Sequence, residues 1–200
     1  MPDSTPDSTP DSTEPSPDPS PDRPEPTLEQ SPPGTTDNPA TPTGQLAHPA
    51  VRRVTARLAE LGVAGPVRLL DDSARTAAQA AAQLGVGVAQ IANSLVFSAD
   101  GAPLLVMASG GHRVDTAKVA ALVGAASVDR ADPDFVRTHT GFAIGGVAPV
   151  GHPEPLRTLV DTDLATYDEV WAAAGHPHTV FPTTYDELVR ITGGTPADVA

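Results

Sequence analysis

The stretch TGFAIGGVAPVGH, residues 140–152, contains four glycines and one proline, and its only ionisable side chain is the terminal histidine. Glycine lets a backbone take positive φ values or lie directly against another group. The stretch is neither a dinucleotide-binding fingerprint nor a phosphate-binding P-loop, because it lacks the glycine and lysine spacings that define them. Two interpretations stay open: a bulged strand that crosses close to a neighbour, or a wall of backbone amides that faces a ligand.

The first 45 residues differ from the rest of the chain in composition. They hold 13 of the 23 prolines and three consecutive PDST repeats, and Leu28 is their only large aliphatic residue after Met1. Such a segment cannot bury enough apolar area to offset the entropy lost on ordering. We therefore expect a disordered acidic tail with polyproline II character over residues 1–45, either a solubilising leader or a docking segment. One folded domain is expected over residues 46–200.

The acidic charge is concentrated in this tail. Nine acidic residues and one arginine give residues 1–45 a net charge of −8, out of −13 for the whole chain. The −5 that remains for residues 46–200 argues against strong, non-specific binding of nucleic acid. An RNA contact would then depend on a small basic patch, although Arg53 and Arg57 could instead form a solvated helix face. The candidates for this patch are Arg52, Arg53, Arg57, Arg113, Lys118 and Arg137.

Residue types exclude several classes of site. The chain has no cysteine, which excludes disulfides, thiolate metal sites and a cysteine nucleophile. Its histidines show no HxxxH or HExxH spacing, so we expect no metal and no cofactor. Residues 1–45 contain no apolar run that could be a signal peptide or a membrane span. We therefore expect a cytoplasmic protein without membrane contacts.

Helical and strand patterns alternate along residues 46–200, and capping residues and turn pairs mark their ends. Helices are predicted at 48–62, 74–85, 114–124, from Asp132-Pro133 to about Arg137–Thr138, and at 183–194, with Asp115 and Thr183 as N-caps. Strands are predicted at 67–70, 94–97, 103–108, 156–160, 168–175 and 178–181, with a hairpin turn at Asp100-Gly101. Strands joined partly by hairpins and partly by helices favour a mixed α/β or α+β sheet.

Four segments in this order resemble a known protein family. They are AAQAAAQLGVGVAQIANSLVF (77–97), GGHRVDTAKVAALVGA (110–125), ADPDFVRTHTGFAIGGVAPVGH (131–152), and LRTLVDTDL (156–164) with VFPTTYDELVRITGG (180–194). The chain resembles the YbaK/prolyl-tRNA synthetase-associated editing domain family, which includes free-standing aminoacyl-tRNA deacylases. The resemblance covers about residues 48–200. It implies a YbaK-like α/β (α+β) fold, a mixed six- to seven-stranded barrel-like sheet surrounded by helices, with a pocket for a small amino acid.

The resemblance also implies an activity and partners. The activity is hydrolysis of the ester that joins a wrong, small amino acid to the 3′ end of a tRNA. The expected partner is therefore a mischarged tRNA, with an aminoacyl-tRNA synthetase as a further candidate. An aminoacyl ester is already activated, so such a site has to place it, polarise its carbonyl and admit water.

The resemblance assigns roles to several positions. Backbone N–H groups at Gly145 and Gly146 are expected to bind the ester carbonyl or the ribose hydroxyls. Asp161 is expected to hold the substrate ammonium group or a water molecule, and its alternative role is to cap the following segment. The expected substrate-binding positions are Gly141, Ser94 and His112, although a turn histidine is usually just solvated.

Asn93 stands where the family typically has a lysine. A lysine ammonium places a full charge beside the ester, whereas an asparagine amide provides only a dipole. Asn93 could still orient the substrate as a catalytic-site residue, or it could be simply a polar residue at the start of a strand. Two functions follow: a trans-acting deacylase, or a catalytically silent module that binds an amino acid or an aminoacyl-adenosine. In a third reading, the acidic tail is the functional part of an interaction protein.

Overall fold

A mixed sheet with helices on both faces forms the fold of residues 42–200, the part of the chain that the computed structural model describes. The predicted tail therefore lies outside the described residues up to position 41. The helices are α1 (Pro42–Leu46), α2 (Pro49–Glu60), α3 (Ala77–Leu84), α4 (Thr116–Val123), α5 (Pro133–Thr140) and α6 (Tyr185–Thr192). The strands are β1 (Arg68–Leu69), β2 (Ile91–Ala99), β3 (Ala102–Ser109), β4 (Val128–Arg130), β5 (Arg157–Asp161), β6 (Val170–Ala173), β7 (Thr179–Thr183) and β8 (Thr195–Ala197). Short 3-10 turns lie at Val88–Gln90 and Thr162–Thr166.

The hairpin of β2 and β3 lies at the centre of the sheet. Its turn is Asp100-Gly101, as the Asp-Gly pair predicts, and both residues have positive φ (50° and 87°). The strand order is β1-β7-β6-β2-β3-β5-β8, with β4 also beside β2. Strands β2 and β6, β3 and β5, and β5 and β8 pair in parallel, and the other pairs are antiparallel. The predicted mixed α/β class is confirmed, with eight strands within the described residues where six or seven were expected.

Helix boundaries follow local capping signals in most cases. Asp115 accepts hydrogen bonds from two amides at the start of α4, and α4 ends at Gly124 in the left-handed conformation. The cap predicted at Thr183 is wrong by one residue: Thr184 caps α6, while the Thr183 hydroxyl donates to the Glu187 carboxylate at 2.7 Å. Other boundaries also shift: α1 begins inside the predicted tail, α3 begins at Ala77, β2 begins at Ile91, and α5 extends to Thr140.

The core lies on both faces of the sheet. On one face, α2, α5 and α6 pack through residues such as Val54, Val136 and Leu188 against buried residues of the sheet. On the other face, α4 packs against β2 and β3, and α3 packs against β2 and β6. These helices hold the central strands in place while leaving one stretch of β2 without a partner.

That stretch of β2 is the feature that positions the site. Ile91 and Ala92 pair with β6, and β4 begins to pair at Phe97, so the edge of β2 over residues 93–96 pairs with neither strand. We call this break the β2 gap. The Gly110 amide donates to the Ile91 carbonyl, so the backbone polar groups of Ile91 point toward β3. Because these groups alternate in direction along a strand, the amide groups of Ser94 and Val96 point away from β3 and toward the gap.

Candidate active site

The β2 gap opens into two cavities. The larger has a volume of about 650 Å³, and its lining includes Ser94, His112 and Gly145. The smaller has a volume of about 150 Å³, and its lining includes Asn93, Arg75 and again Gly145. Residues predicted for the site from widely separated parts of the sequence therefore meet here.

The glycine loop, residues 141–151, forms a wall shared by both cavities. Ile144, Gly145 and Val147 line both cavities together with Ser94 and Leu95 of β2. The loop is a turn between α5 and β5, so the expectation of a bulged strand is wrong. Its tip carries Ile144, which is 57% exposed and available for contact with a ligand.

Gly145 and Gly146 have different roles in this loop. Gly145 has a φ of +89° and is half-buried, and its N–H has no backbone partner within residues 42–200. The N–H of Gly146 instead donates to the Ala143 carbonyl at 3.0 Å. A Cβ at Gly146 would lie 2.9–3.0 Å from the backbone of His176, so this glycine permits a close approach of two chain segments. The structure therefore does not support Gly146 as a backbone donor, whereas the Gly145 amide remains free beside the cavities.

Gly141 has a structural role and lines neither cavity, so its part in substrate binding stays a prediction. It ends α5 in the left-handed conformation (φ +71°), and its carbonyl accepts a hydrogen bond from Arg53 Nη2 at 3.1 Å. Arg53 Nε donates to the Gly151 carbonyl at 2.7 Å, and its guanidinium lies 4.7 Å from the centre of the Phe142 ring. Arg53 thus ties both ends of the glycine loop to α2, and we call this set of contacts the Arg53 clamp.

Asn93 and Ser94 lie side by side on β2, and successive strand residues point to opposite faces. Asn93 is opposite Ala108 in the ladder, and Ser94 is opposite Met107, whose sulfur accepts a hydrogen bond from the Ser94 hydroxyl at 3.4 Å. Both residues line the smaller cavity, but only Ser94 also lines the larger one. The predicted site residues are therefore divided between two adjoining spaces.

His112 is joined to Asp161 by a short hydrogen bond. The His112 Nδ1 to Asp161 Oδ2 distance is 2.8 Å, and the same oxygen accepts a hydrogen bond from the Ser109 amide at 3.0 Å. Asp161 Oδ1 accepts from the Asp163 amide at 3.2 Å, which caps the turn at Thr162–Thr166. Asp161 is only 1% exposed, so it is not placed to hold a substrate ammonium group, and its alternative role as a cap is the observed one.

A histidine-rich turn, residues 176–178, lies against the glycine loop at Gly146. The rings of His48 and His176 are 5.2 Å apart, and those of His176 and His178 are stacked at 5.5 Å. Burial lowers the pKa of His176, and the neighbouring His48 and His178 lower it further. Burial also lowers the pKa of His152, at the far end of the loop. The His176 and His152 rings therefore favour their neutral form.

Half of the predicted basic patch is engaged within the protein. Arg53 forms the clamp, Arg57 pairs with Glu60 at 2.8 Å, and Lys118 pairs with Asp198 at 2.7 Å. Arg113 lines the larger cavity and remains a candidate for contact with RNA. Within residues 42–200, no helix is long and apolar enough to cross a membrane, and no group of three acidic or histidine side chains is arranged to hold a metal ion.

Several site residues were missed by reasoning from sequence. Arg75 lines the smaller cavity, Ile144 lines both, and Asp163 Oδ2 lies 3.8 Å from His112 Nε2. The one available signal for Ile144 was its position directly before the Gly145-Gly146 pair of the loop. Arg75 and Asp163 lie in segments whose local sequence indicates only a helix start and a turn.

The mixed α/β fold is the one that the family resemblance implied, and comparison with known sequences identifies the same family. Residues 71–191 match the model of the aminoacyl-tRNA editing domain. This chain belongs to the aminoacyl-tRNA editing domain family, as the order of its motifs predicted.

Individual relatives show where similar domains occur. The chain is 33% identical over 116 residues to a proline–tRNA ligase of Nitratidesulfovibrio vulgaris (strain DP4), a match that covers 58% of this chain and 19% of the ligase. It therefore spans about a fifth of that enzyme. It is 31% identical to the uncharacterised protein YwhH of Bacillus subtilis (strain 168), over 59% of this chain and 75% of that protein.

A solved structure is similar over nearly its whole length. The crystal structure of a protein assigned as a trans-editing enzyme for prolyl tRNA synthetase has 45% sequence identity and a TM-score of 0.71. The match covers 76% of this chain and 96% of that one.

Proposed function

We propose that this protein is a trans-acting deacylase that hydrolyses the ester of a tRNA mischarged with a small amino acid. The observation that carries the proposal is the β2 gap, where backbone amides of a central strand open into two cavities beneath the glycine loop. The similarity over 96% of a protein assigned to trans-editing supports action as a separate chain. The same similarity, together with that to proline–tRNA ligases, favours a proline tRNA as the nucleic-acid partner.

The free groups of the site match the needs of ester hydrolysis. The Gly145 amide lies at the boundary of both cavities and donates a hydrogen bond to the ester carbonyl, which becomes negatively charged in the transition state. The Ser94 and Val96 amide groups at the gap hold the ribose and the amino-acid end of the substrate. Preorganised backbone donors of this kind supply about 3–4 kcal/mol each to the stabilisation of an oxyanion.

The smaller cavity sets the size of the amino acid. Its volume of about 150 Å³ and its lining by Ala77, Ala80 and Ala92 leave room for a short side chain only. The larger cavity, at about 650 Å³, has space for the terminal nucleoside. The amino acid and the nucleoside thus lie on either side of the loop tip at Gly145.

Asn93 favours a second candidate function. It lies in the smaller cavity at the position where the family resemblance expects a lysine, and it offers a neutral amide in place of a charge. Without that charge, the same cavities would serve as a binding module for an amino acid or an aminoacyl-adenosine.

One experiment separates the two functions. The full chain is incubated with proline tRNA charged with alanine, serine, cysteine or threonine, and the remaining aminoacyl-tRNA is measured over time against a protein-free control. Hydrolysis of at least one of these tRNAs faster than the control supports the deacylase. Binding of a non-hydrolysable aminoacyl-adenosine, seen by calorimetry without any hydrolysis, would favour the silent module.

A further inference from the structure

We infer that His112 is the general base of this site, held in position by Asp161, and that it activates a water molecule shared with Asp163. The inference rests on the proposed hydrolase function and names the group that activates the nucleophile. It depends on two distances from the His112 ring, 2.8 Å to Asp161 and 3.8 Å to Asp163, and on the burial of Asp161.

The Asp161 carboxylate fixes the orientation of the ring. Its Oδ2 lies 2.8 Å from His112 Nδ1, so Nδ1 carries a proton and donates a hydrogen bond to the carboxylate. Asp161 is itself held by the Ser109 and Asp163 amides and is 1% exposed. These hydrogen bonds fix the carboxylate in place, and the His112 ring that is bonded to it therefore has one stable orientation. Because Nδ1 is protonated, Nε2 is left as the atom that accepts a proton.

The His112 ring reaches the space where the ester would lie. Its side chain is 32% exposed and lines the larger cavity together with Ser94 and Gly145. A base that is buried on one side and open on the other can accept a proton from water without leaving its hydrogen bond to the carboxylate. His112 combines these two properties.

The distance from His112 Nε2 to Asp163 Oδ2 suits a shared water molecule. At 3.8 Å these atoms are too far apart for a direct hydrogen bond but close enough for one water to contact both. The water oxygen attacks the ester carbonyl carbon while its proton passes to His112 Nε2. The tetrahedral intermediate then expels the ribose oxygen, which takes that proton back, so the products are the free amino acid and the tRNA with its terminal hydroxyl restored.

The test compares single-turnover deacylation by the wild type, His112→Ala and His139→Ala on the alanyl, seryl, cysteinyl and threonyl forms of proline tRNA. His139 lies on α5 and lines neither cavity, so its variant is the matched control. We expect His112→Ala to be about 100-fold slower, because general-base catalysis contributes about 10²–10⁴-fold, and His139→Ala to be unchanged. Added imidazole should restore part of the rate of His112→Ala alone.

Asp161→Asn tests the positioning role. In the otherwise wild-type protein, Asp161→Asn should lower the deacylation rate about 10-fold or more. In the His112→Ala background it should lower the rate no further, because the two residues act as one unit. A purely structural role would slow both backgrounds equally. Thermal unfolding of each variant verifies the fold, and if Asp161→Asn does not fold, the imidazole result decides alone.

The outcomes distinguish a failure of the proposed role of His112 from a failure of the proposed deacylase function. If His112→Ala stays within threefold of the wild type, or if imidazole fails to rescue a slow variant, the role of His112 is overturned while the deacylase function stands. If the wild type hydrolyses none of the tRNAs, both the function and the base are overturned.

Discussion

Replacing Arg53 by alanine tests whether the Arg53 clamp supports the site from outside the cavities. The change removes a 2.7 Å hydrogen bond to the Gly151 carbonyl, a 3.1 Å hydrogen bond to the Gly141 carbonyl, and the contact with the Phe142 ring. A hydrogen bond from a charged donor contributes about 1.5–3 kcal/mol and an exposed cation–π contact about 0.5–1 kcal/mol.

The net loss is smaller than the sum of these figures, because Arg53 is exposed and water can replace it at both carbonyls. We expect the free energy of unfolding to fall by about 1–2 kcal/mol, which for a domain of this size lowers the Tm by about 2–8 °C. The effect on deacylation should be larger in proportion, because the loop that carries the Gly145 amide loses the anchor at each end.

The assay pairs thermal unfolding with single-turnover deacylation, and Arg52→Ala is the control for the loss of one positive charge of the basic patch from α2. Arg52 is the exposed neighbour on the same helix and makes no side-chain hydrogen bond or ion pair within the described residues. Arg53→Lys should be intermediate, since an ammonium group cannot reproduce the two-armed geometry of a guanidinium. If Arg53→Ala matches Arg52→Ala in both Tm and rate, the reasoning about the clamp is refuted.

Three other predictions address the cavities, the loop and the histidine-rich turn. Asn93→Lys should raise the deacylation rate about 10-fold or more, because charge-assisted hydrogen bonds are about twice as strong as neutral ones; an unchanged or lower rate in the same assay would contradict this. Gly146→Ala should cost about 1–3 kcal/mol in urea unfolding, since its Cβ would lie 2.9 Å from the His176 backbone, whereas Gly62→Ala, with open space around it, serves as the control that loses only the cost of its positive φ. Because the pKa values of His176 and His152 are lowered in the folded protein, the unfolded chain binds more protons just below pH 6.5, so the free energy of unfolding should fall as the pH drops from about 7 to 5. The slope should be shallower in His176→Gln, and an identical slope would remove His176 as its source.

Local signals in the sequence predicted the parts of the fold that depend on neighbouring residues. The Asp-Gly pair gives the β2–β3 turn, and Asp115 and Gly124 bound α4, because capping and positive φ are set within a few residues. The strands β4 and β8 were missed, since each is three residues long and is defined by pairing with a distant strand.

The candidate site was predicted only in part, because motifs in the sequence identify some of its residues while other contacts depend on the assembled sheet. Gly145, Ser94 and His112 were recognised through family motifs, and the structure brings all three to one cavity. The burial of Asp161 and the contact of Arg53 with Gly151, 98 residues away, depend on the assembled sheet and have no local signature. Sequence reasoning could therefore name the residues near the site more reliably than their roles.

For the proposed tRNA substrate, the β2 gap also limits what shape of nucleic acid could approach the cavities. Four strand residues span about 13 Å, given a rise of about 3.3 Å per residue, and the tip of the glycine loop borders that opening. A base-paired stem, with two backbones and the stacked bases between them, is too wide for such an opening, whereas a single nucleotide carrying an amino acid can enter it. Under the proposed function, the break in the sheet would therefore admit an unpaired chain end and exclude a base-paired stem, independent of the sequence of the RNA behind that end.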